Sequence, residues 1–248
     1  MAAAQHPDWL RPDWHAPGVG ALMSTRRGGA SGGPFDSLNL KPGLGDDEAA
    51  VAANQARFAQ AIGGVPQWLE QVHGREVVRL PRAAGDRPRA DASLTTEPGV
   101  ACVVQVADCL PVLFAAPGAL GVAAAHAGWR GLAAGVLEAT LAALCEATGA
   151  VPQEVQVWLG ACIGPRRFEV GPDVLQAFGP AAEAHFRPQR EGKWLADLPG
   201  LARERLAAAG VQRLSGGAWC TVEDASRFFS FRRDGITGRM AAAIWLER

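Results

Sequence analysis

The sequence predicts an α/β fold in which a single domain forms a layered sandwich on mixed β-sheets. Strand-like and helix-like segments alternate along the whole chain, which favours such layers over an all-α or all-β protein. The chain has 248 residues, of which 48% are hydrophobic, and this is enough to bury a substantial core. No internal repeat, low-complexity tract or long linker divides it. We therefore expect a short N-terminal segment, residues 1–17, followed by one domain over residues 18–248.

The predicted strands are short runs of apolar and β-branched residues bounded by turn-forming residues. They cover residues 18–24, 68–72, 76–80, 100–106, 112–114, 120–125, 155–159, 219–222 and 239–246. A turn at His73 would join the second and third of these strands. The strand over residues 100–106 would deliver Asp108 and Cys109 at its carboxyl end, and the strand over residues 120–125 would deliver His126.

The predicted helices are defined by their ends and by apolar periodicity. We expect Asp46 to be the N-cap of a helix that ends at residues 63–64. Apolar residues recur at three- and four-residue spacing from residue 130 to 146, which predicts one amphipathic helix that stops at Gly149. Two shorter helices are predicted over residues 173–178 and from Asp197 to residue 210.

Charge and composition favour a small-molecule partner. The net charge is −1 and no dense basic run is present, which argues against binding to nucleic acid or to an anionic membrane surface. No stretch reaches the roughly 18 consecutive apolar residues that span a bilayer. Residues 1–11 do not combine a basic region with an apolar core, so we expect a cytoplasmic protein. We also expect a monomer, because the chain has no coiled-coil pattern.

Three short blocks each place a soft metal ligand beside turn-forming residues. They are residues 71–74 with His73, residues 107–111 with Cys109, and residues 126–131 with His126. Imidazole and thiolate are ligands that Zn²⁺ prefers, and copper is also possible by ligand type. Three protein ligands leave one tetrahedral position for water or substrate, as in catalytic zinc sites. We therefore expect these three residues to form one metal site with an open position.

These blocks, together with several others, resemble the YfiH family, also called the laccase-domain or polyphenol oxidase family. The other matching blocks are residues 24–26 with the glycines that follow, 37–40, 45–47, 163–165, 168–170 and 228–239, and the match runs from about residue 20 to residue 246. The resemblance implies an α/β sandwich with zinc held by His73, Cys109 and His126. It also implies phosphorolysis of adenosine, inosine, guanosine or methylthioadenosine, and deamination of adenosine.

The resemblance leaves two other activities open. Some bacterial members are assigned to removing L-serine wrongly incorporated into the UDP-MurNAc precursor of peptidoglycan. The older family name comes from phenol oxidation, but the chain has five histidines and none in a His-x-His pair, so a trinuclear copper centre cannot be built. We rank a zinc-dependent purine nucleoside enzyme first, the cell-wall hydrolase second and a copper-dependent polyphenol oxidase third.

The chain departs from the family pattern in two places. Where the family has a histidine shortly before Val-Gly-Asp, residues 41–46 contain none and begin with Lys41. The aromatic residue before the arginine pair is Phe231 instead of the usual tyrosine, which removes a hydroxyl group. Neither change affects the expected metal ligands.

Cys109 and Asp108 each have two candidate roles. Cys109 is a nucleophile or a metal ligand, and we favour the ligand because a metal-bound thiolate is partly quenched as a nucleophile. Asp108 is our candidate for passing a proton to departing ammonia, and the alternative is that it caps a turn or orients a ligand. The expected catalytic set is Cys109, His73, His126 and Asp108.

Three arginines are candidates for a phosphate cradle, because guanidinium binds phosphate through paired donors. Arg26, Arg130 and Arg232 each lie within a matching block. Arg130 also lies at a predicted helix start, where free backbone amides favour anions. Trp129 is a candidate to stack on a purine base, or else a core residue. The expected partners are thus a purine nucleoside and phosphate.

The remaining cysteines and histidines have no supporting context. Five cysteines spread through a long chain favour reduced thiols over a disulfide framework. We expect Cys102, Cys145 and Cys220 to be small apolar residues, with Cys145 on the buried face of its helix. Cys162, in a glycine-rich turn, is the one we would test for reactivity. His6, His15 and His185 are expected to be solvated.

Overall fold

The structure is a computed structural model that describes residues 6–83 and 85–247. Its strands are β1 (Val19–Met23), β2 (Val65–Gln67), β3 (Val77–Arg79), β4 (Ala92–Thr95), β5 (Val100–Val106), β6 (Leu110–Ala115), β7 (Val122–Ala127), β8 (Gln156–Leu159), β9 (Glu169–Val170), β10 (Phe186–Arg190), β11 (Lys193–Ala196), β12 (Arg213–Gly216) and β13 (Met240–Leu246). Its helices are α1 (Glu48–Ala61), α2 (Trp129–Ala134), α3 (Val136–Thr148), α4 (Pro172–Phe178), α5 (Leu198–Ala208) and α6 (Phe231–Asp234). Within the described residues, no helix has the length and apolarity needed to cross a bilayer.

Two mixed sheets form the centre of the fold. The first sheet has the order β1-β13-β5-β2, and the second has the order β12-β8-β6-β7-β4-β3. Most neighbouring strands are antiparallel, but β2 pairs with β5, β3 with β4, and β12 with β8 in parallel. A third sheet, β10-β11-β9, is antiparallel. Mixed sheets interleaved with helices confirm the predicted fold class.

The two large sheets pack face to face, and helices cover their outer faces. Val104 of the first sheet lies in the same buried cluster as Leu113 of the second sheet. The neighbouring Val103 points the other way and packs with Phe58 of α1, because side chains alternate along a strand. Leu141 of α3 and residues of α5 cover the outer face of the second sheet. The layers are therefore helix, sheet, sheet, helix.

Several predicted elements are confirmed, and one helix start is displaced. The strand over residues 100–106 is β5, with the same bounds. Asp197 is the N-cap of α5, as predicted, and its side chain accepts a backbone hydrogen bond. The predicted N-cap of α1 is wrong by one residue, because Asp47 caps that helix. The Asp46 carboxylate instead accepts hydrogen bonds from Ser31 and Asn39.

The prediction of one helix over residues 130–146 is wrong, because Gly135 divides it into α2 and α3. Gly135 has a φ of 92°, in the left-handed region that favours glycine. Leu132 before the break and Val136 after it both enter the core. The apolar spacing therefore continues across the break and does not reveal it.

Some predicted strands are also wrong. Residues 68–72 lie outside the strands, since β2 ends at Gln67. Residues 219–222 form a loop in which Cys220 makes an isolated bridge with Cys162. The strand predicted to end before His126 extends to Ala127, so His126 lies inside β7 and is buried. Strands β2, β4 and β9 to β12 lie outside the predicted strands, because they are short and lack a run of β-branched residues.

Candidate metal centre

Strand pairing within the second sheet brings the site residues to one end. In the β6–β7 pair, Pro111 lies opposite His126, so Cys109, two residues before Pro111, lies beside the end of β7. In the β4–β7 pair, Ala92 lies opposite Ala125, which places Asp91 beside His126. The register of three neighbouring strands therefore sets these positions.

The ligand atoms of the three predicted residues lie close together. The Nε2 atom of His73 is 3.8 Å from the Sγ atom of Cys109. The ligand atoms of His73, Cys109 and His126 all lie within 4.8 Å of one another. Ordinary Zn–N and Zn–S bond lengths in a tetrahedral site give ligand separations of about 3.3–3.8 Å. The donor set and its spacing therefore fit a metal ion after small side-chain adjustments.

Because Gly128 has no side chain, the side chains of Cys109 and His73 can occupy the space beside its backbone. A Cβ atom at this position would lie 2.9 Å from Sγ of Cys109 and 2.9 Å from Cδ2 of His73. Both distances are shorter than normal contacts, and both involve the metal ligands themselves. Position 128 therefore requires glycine, because the side chains of Cys109 and His73 approach its backbone closely.

Asp91 is a central residue of the site that sequence analysis missed. Its side chain is fully buried, and its carboxylate accepts a 2.8 Å hydrogen bond from Nδ1 of His126. With Nδ1 bonded to Asp91, Nε2 of His126 is the atom that can bind a metal. Asp91 also accepts the backbone N–H groups of Val72, His73 and Gly74 at 2.7 to 3.1 Å. One carboxylate thus orients two of the three ligands.

The bonds to Asp91 also explain the backbone of the loop that carries His73. His73 has a φ of 60°, in the left-handed region that residues other than glycine seldom adopt. Burial opposes the charge of Asp91, but the hydrogen bonds from His126 and the backbone amides outweigh it and lower its pKa. The carboxylate is therefore charged and can hold the loop in this conformation.

The electrostatics of the cluster favour a charged pair. Burial opposes ionisation of Cys109, but His126 and His73 outweigh it and lower the pKa of the thiol to about 6. Burial likewise opposes protonation of His126, but Cys109 and Asp91 raise its pKa to about 9. Both shifts favour a Cys109 thiolate together with a His126 imidazolium at neutral pH. Because metal binding requires a neutral imidazole, a metal and a proton compete for His126.

A cavity of about 320 Å³ opens on one side of the cluster, and we call it the apolar cavity. Its apolar walls include Trp129, Phe168 and Phe231. Arg130 and Arg232 also line it, so it contains two of the three predicted phosphate-binding arginines. The Arg130 guanidinium lies over the Trp129 ring at 4.4 Å.

A second cavity of about 250 Å³ opens beside the same cluster, and we call it the cationic cavity. Lys41 and Arg239 line it together with Gln71 and Gln105. Four residues line both cavities, namely His73, Ala107, Cys109 and Phe231. The two cavities are therefore adjacent and meet at these residues.

Asp108 lies in the wall of the apolar cavity, where both of its carboxylate oxygens accept hydrogen bonds. The Thr221 hydroxyl donates to Oδ1 at 2.6 Å, and the backbone N–H of Arg232 donates to Oδ2 at 2.7 Å. These contacts tie the β5–β6 turn to the loop that contains Thr221 and to the first turn of α6. Asp108 thus orients the segment that carries Phe231 and Arg232.

The other candidate residues lie outside the cluster. Arg26 lines a separate cavity with Arg27 and Asp36, and its guanidinium donates to the carbonyl oxygens of Asp36 and Ala225. The structure therefore does not bring Arg26 to the metal ligands. His185, expected to be solvated, is only partly exposed and bonds Glu204 at 2.6 Å.

The expectation that Cys162 is the thiol to test for reactivity is wrong. Its side chain is fully buried, and burial raises the pKa of its thiol well above the ordinary value. A thiol that is both inaccessible and protonated is inert. Cys145 is only partly buried, so it does not simply continue the buried face of α3.

Comparison with known sequences gives matches over almost the whole chain. A family model described as multi-copper polyphenol oxidoreductase laccase matches residues 20–247. The chain is 50% identical over 245 residues to purine nucleoside phosphorylase PA4543 of Pseudomonas aeruginosa, covering 96% of this chain and 98% of that protein. It is 48% identical over 241 residues to purine nucleoside phosphorylase YfiH of Escherichia coli, covering 95% and 97%.

Solved structures show the same architecture. Protein NMB0706 of Neisseria meningitidis superposes with a TM-score of 0.93 at 46% identity, covering 97% of this chain and 100% of that chain. YlmD of Geobacillus stearothermophilus superposes with a TM-score of 0.92 at 33% identity, covering 99% and 98%. The layered sandwich is therefore shared over its full extent.

Proposed function

This chain belongs to the multi-copper polyphenol oxidoreductase laccase family, the family of YfiH, and from that premise we propose that it is a purine nucleoside phosphorylase. Two relatives that carry this activity in their names are 48% and 50% identical to it along nearly its whole length. The observation that carries the proposal is the apolar cavity, which places aromatic walls next to the His73, Cys109 and His126 cluster.

Phosphorolysis of a nucleoside requires a binding site for phosphate and a binding site for the purine, on either side of the ribose. An oxygen of phosphate forms a bond to C1′ of the ribose while the bond from C1′ to the purine nitrogen breaks. The electron pair leaves with the purine, which takes up a proton. The nucleophile and the leaving group must lie on opposite sides of C1′, so a site with two adjacent cavities suits this reaction.

In the apolar cavity, this chain's residues would bind and orient the purine. Trp129 and Phe168 offer aromatic surface for stacking, and base–aromatic stacking contributes about 1–3 kcal/mol. Arg130 and Arg232 would stabilise negative charge that develops on the departing base. Asp108 would hold the backbone of Arg232 in position through the hydrogen bond to its N–H.

We propose zinc as the metal held by His73, Cys109 and His126. Two imidazoles and one thiolate suit zinc, and a bound zinc ion would supply a Lewis-acid centre where the two cavities meet. Electron-transfer copper sites with two histidines and one cysteine commonly add a distal methionine. Among the described residues lining the two cavities there is no methionine. Multi-copper chemistry would also need more histidines than this cluster has.

Deamination of adenosine is the second activity that we propose for this site. It requires water to add to the purine ring and a proton to reach the departing ammonia. Asp108 lines the apolar cavity and is our candidate for that proton transfer. Both of its oxygens already accept hydrogen bonds, so one of those bonds must be given up during the step. We therefore rank deamination below phosphorolysis.

The decisive experiment incubates the purified protein with each candidate substrate and separates the products by chromatography. The reactions are inosine with phosphate, adenosine alone, UDP-MurNAc-L-serine, and a phenol with oxygen. We expect ribose 1-phosphate and hypoxanthine from the first reaction. Turnover of only the cell-wall precursor, or of only the phenol, would overturn the proposal in favour of that activity.

The Cys109→Ala variant tests the metal in the same assay. We expect it to lose activity and to bind less zinc by elemental analysis, because one of three ligands is removed. A variant that keeps its zinc but loses turnover would support the nucleophile role of Cys109 instead.

A further inference from the structure

The cationic cavity is lined by two positive side chains, and the charges of Cys109 and Asp108 offset only part of the effect of burial, which lowers the pKa of Arg239. Lys41 and Arg239 both line it, and among the described residues that line it none carries a carboxylate. Arg239 donates through Nη1 to the carbonyl oxygens of Thr237 and Gly238, which are neutral acceptors. Burial and the charges of Arg239 and Arg87 lower the pKa of Lys41. An anion in this cavity would relieve that repulsion.

One buried amide fixes both cationic residues in place. The side chain of Asn39 is fully buried, and its Oδ1 atom accepts the backbone N–H of Lys41 at 3.1 Å and that of Arg239 at 3.0 Å. The N–H of Leu40 also donates to the carbonyl oxygen of Arg239 at 3.1 Å. Segments 200 residues apart are therefore held side by side. The backbones that carry the two cations are therefore fixed next to each other, which reduces the cost of bringing both side chains to one ligand.

We propose that Lys41 and Arg239 bind inorganic phosphate, the second substrate of phosphorolysis, in the cationic cavity. This inference rests on the proposed function, because phosphorolysis requires phosphate beside the ribose. Because the two cavities meet at their shared residues, a nucleoside whose purine lies in the apolar cavity would place its ribose at that junction, next to this pair. Phosphate would then approach C1′ from the side opposite the departing base.

The arginines of the apolar cavity are less suited to phosphate. The Arg232 guanidinium donates to the carbonyl oxygen of Glu169 at 2.8 Å and lies 5.4 Å from the centre of the Phe168 ring. The Arg130 guanidinium lies against Trp129. Arg239 makes similar contacts, with the carbonyl oxygens of Thr237 and Gly238 and with the Phe231 ring at 5.7 Å. The difference is that Trp129 and Phe168 are the surfaces proposed to stack on the base, so phosphate at Arg130 or Arg232 would displace the base from them.

The lysine content of the chain allows a binding test that does not require turnover. Lys41 and Lys193 are the only two lysines in the sequence, and Lys193 lies in β11, outside both cavities. The protein as isolated is labelled with acetic anhydride, with and without inorganic phosphate, and the lysine-containing peptides are quantified by mass spectrometry. We expect phosphate to reduce labelling of Lys41 at least fivefold, while labelling of Lys193 stays the same. Equal labelling of Lys41 with and without phosphate would overturn the proposal.

The kinetic test compares Lys41→Gln with the matched control Lys193→Gln. We expect Lys41→Gln to raise the KM for phosphate about tenfold, as loss of one charge-assisted contact does, and to leave the KM for inosine within about twofold. Lys41→Arg, which keeps the charge, should recover most of the affinity. An unchanged KM for phosphate in Lys41→Gln would overturn the site, and so would an equal rise in Lys193→Gln.

The two experiments separate failure of this site from failure of the proposed function. Phosphate protection of Lys41 without turnover of any nucleoside would support the anion site and contradict phosphorolysis. Phosphorolysis without protection of Lys41, and with a normal KM for phosphate in Lys41→Gln, would keep the proposed function and overturn the site.

Discussion

Asp91 is the residue on which two of the metal ligands depend, since it bonds the His126 imidazole and the backbone around His73. A carboxylate that orients a metal-binding histidine contributes to affinity although it never touches the metal. We expect Asp91→Asn to weaken zinc binding about 10- to 100-fold, measured by competition with a chromophoric chelator. Asp173→Asn, an exposed aspartate of α4, is the control and should bind zinc normally. Equal zinc affinity in both variants would contradict this role of Asp91.

Cys109 should be the reactive thiol of the metal-free protein. Its pKa of about 6 means that it is mostly protonated below pH 6 and mostly thiolate above it. We therefore expect alkylation of Cys109 by iodoacetamide to rise with pH and to reach half its maximal rate near pH 6. Peptide mapping provides the control, because burial raises the pKa of Cys145 and its alkylation should begin at higher pH. A midpoint near pH 9 for Cys109 would contradict the charged pair, and bound zinc should suppress the reaction.

At the residue scale, the sequence predicts ligands better than it predicts the residues that orient them. His73, Cys109 and His126 are soft donors beside turn-forming residues, and this local signal is readable without a structure. Asp91 acts through hydrogen bonds to residues 17 to 35 positions away, so nothing in its own neighbourhood identifies it. The same holds for Arg239, whose segment lies next to that of Lys41 through hydrogen bonds of Asn39 and Leu40.

Gly128 and Gly135 lie at the two ends of α2 and have different structural roles, so the same substitution at each position should have different effects. We expect Gly128→Ala to lower zinc content while the fold stays intact, because the added Cβ would contact Cys109 and His73. We expect Gly135→Ala to cost about 1 kcal/mol of unfolding free energy or more, because its φ is positive, and to leave zinc content unchanged. Elemental analysis and urea unfolding of both variants check this. Normal zinc content in Gly128→Ala would show that the site tolerates the methyl group.

At the element scale, a strand is predicted correctly when both of its faces are buried, because its sequence is then a long apolar run. β5 is such a run, because one face meets the second sheet and the other meets α1. β4 has the sequence Ala-Ser-Leu-Thr and is only four residues long, so its strand character comes from pairing with β3 and β7. The break at Gly135 is not visible in the sequence, because apolar residues keep the same helical spacing before and after it and both helices pack on the core.

On the scale of the whole molecule, the metal would join strand β7 of the second sheet to two connections between the sheets. Its ligands come from the β2–β3 loop, the β5–β6 turn and β7, so a bound ion should stabilise the folded state over the unfolded chain. With zinc at about 100 times its Kd, the stabilisation is about 2.7 kcal/mol, which corresponds to roughly 5–10 °C in Tm. We expect a chelator to lower the Tm by this amount, as measured by calorimetry. Cys109→Ala should show little response, and an equal response would place the stabilising ion elsewhere.

The position of β13 has a consequence for the synthesis of the protein. β13 follows every other strand in the chain, yet it lies between β1 and β5 in the interior of the first sheet. A nascent chain therefore exposes the facing edges of β1 and β5 until residues 240–246 leave the ribosome. Newly made molecules should depend on chaperones during that interval, since unpaired strand edges invite aggregation.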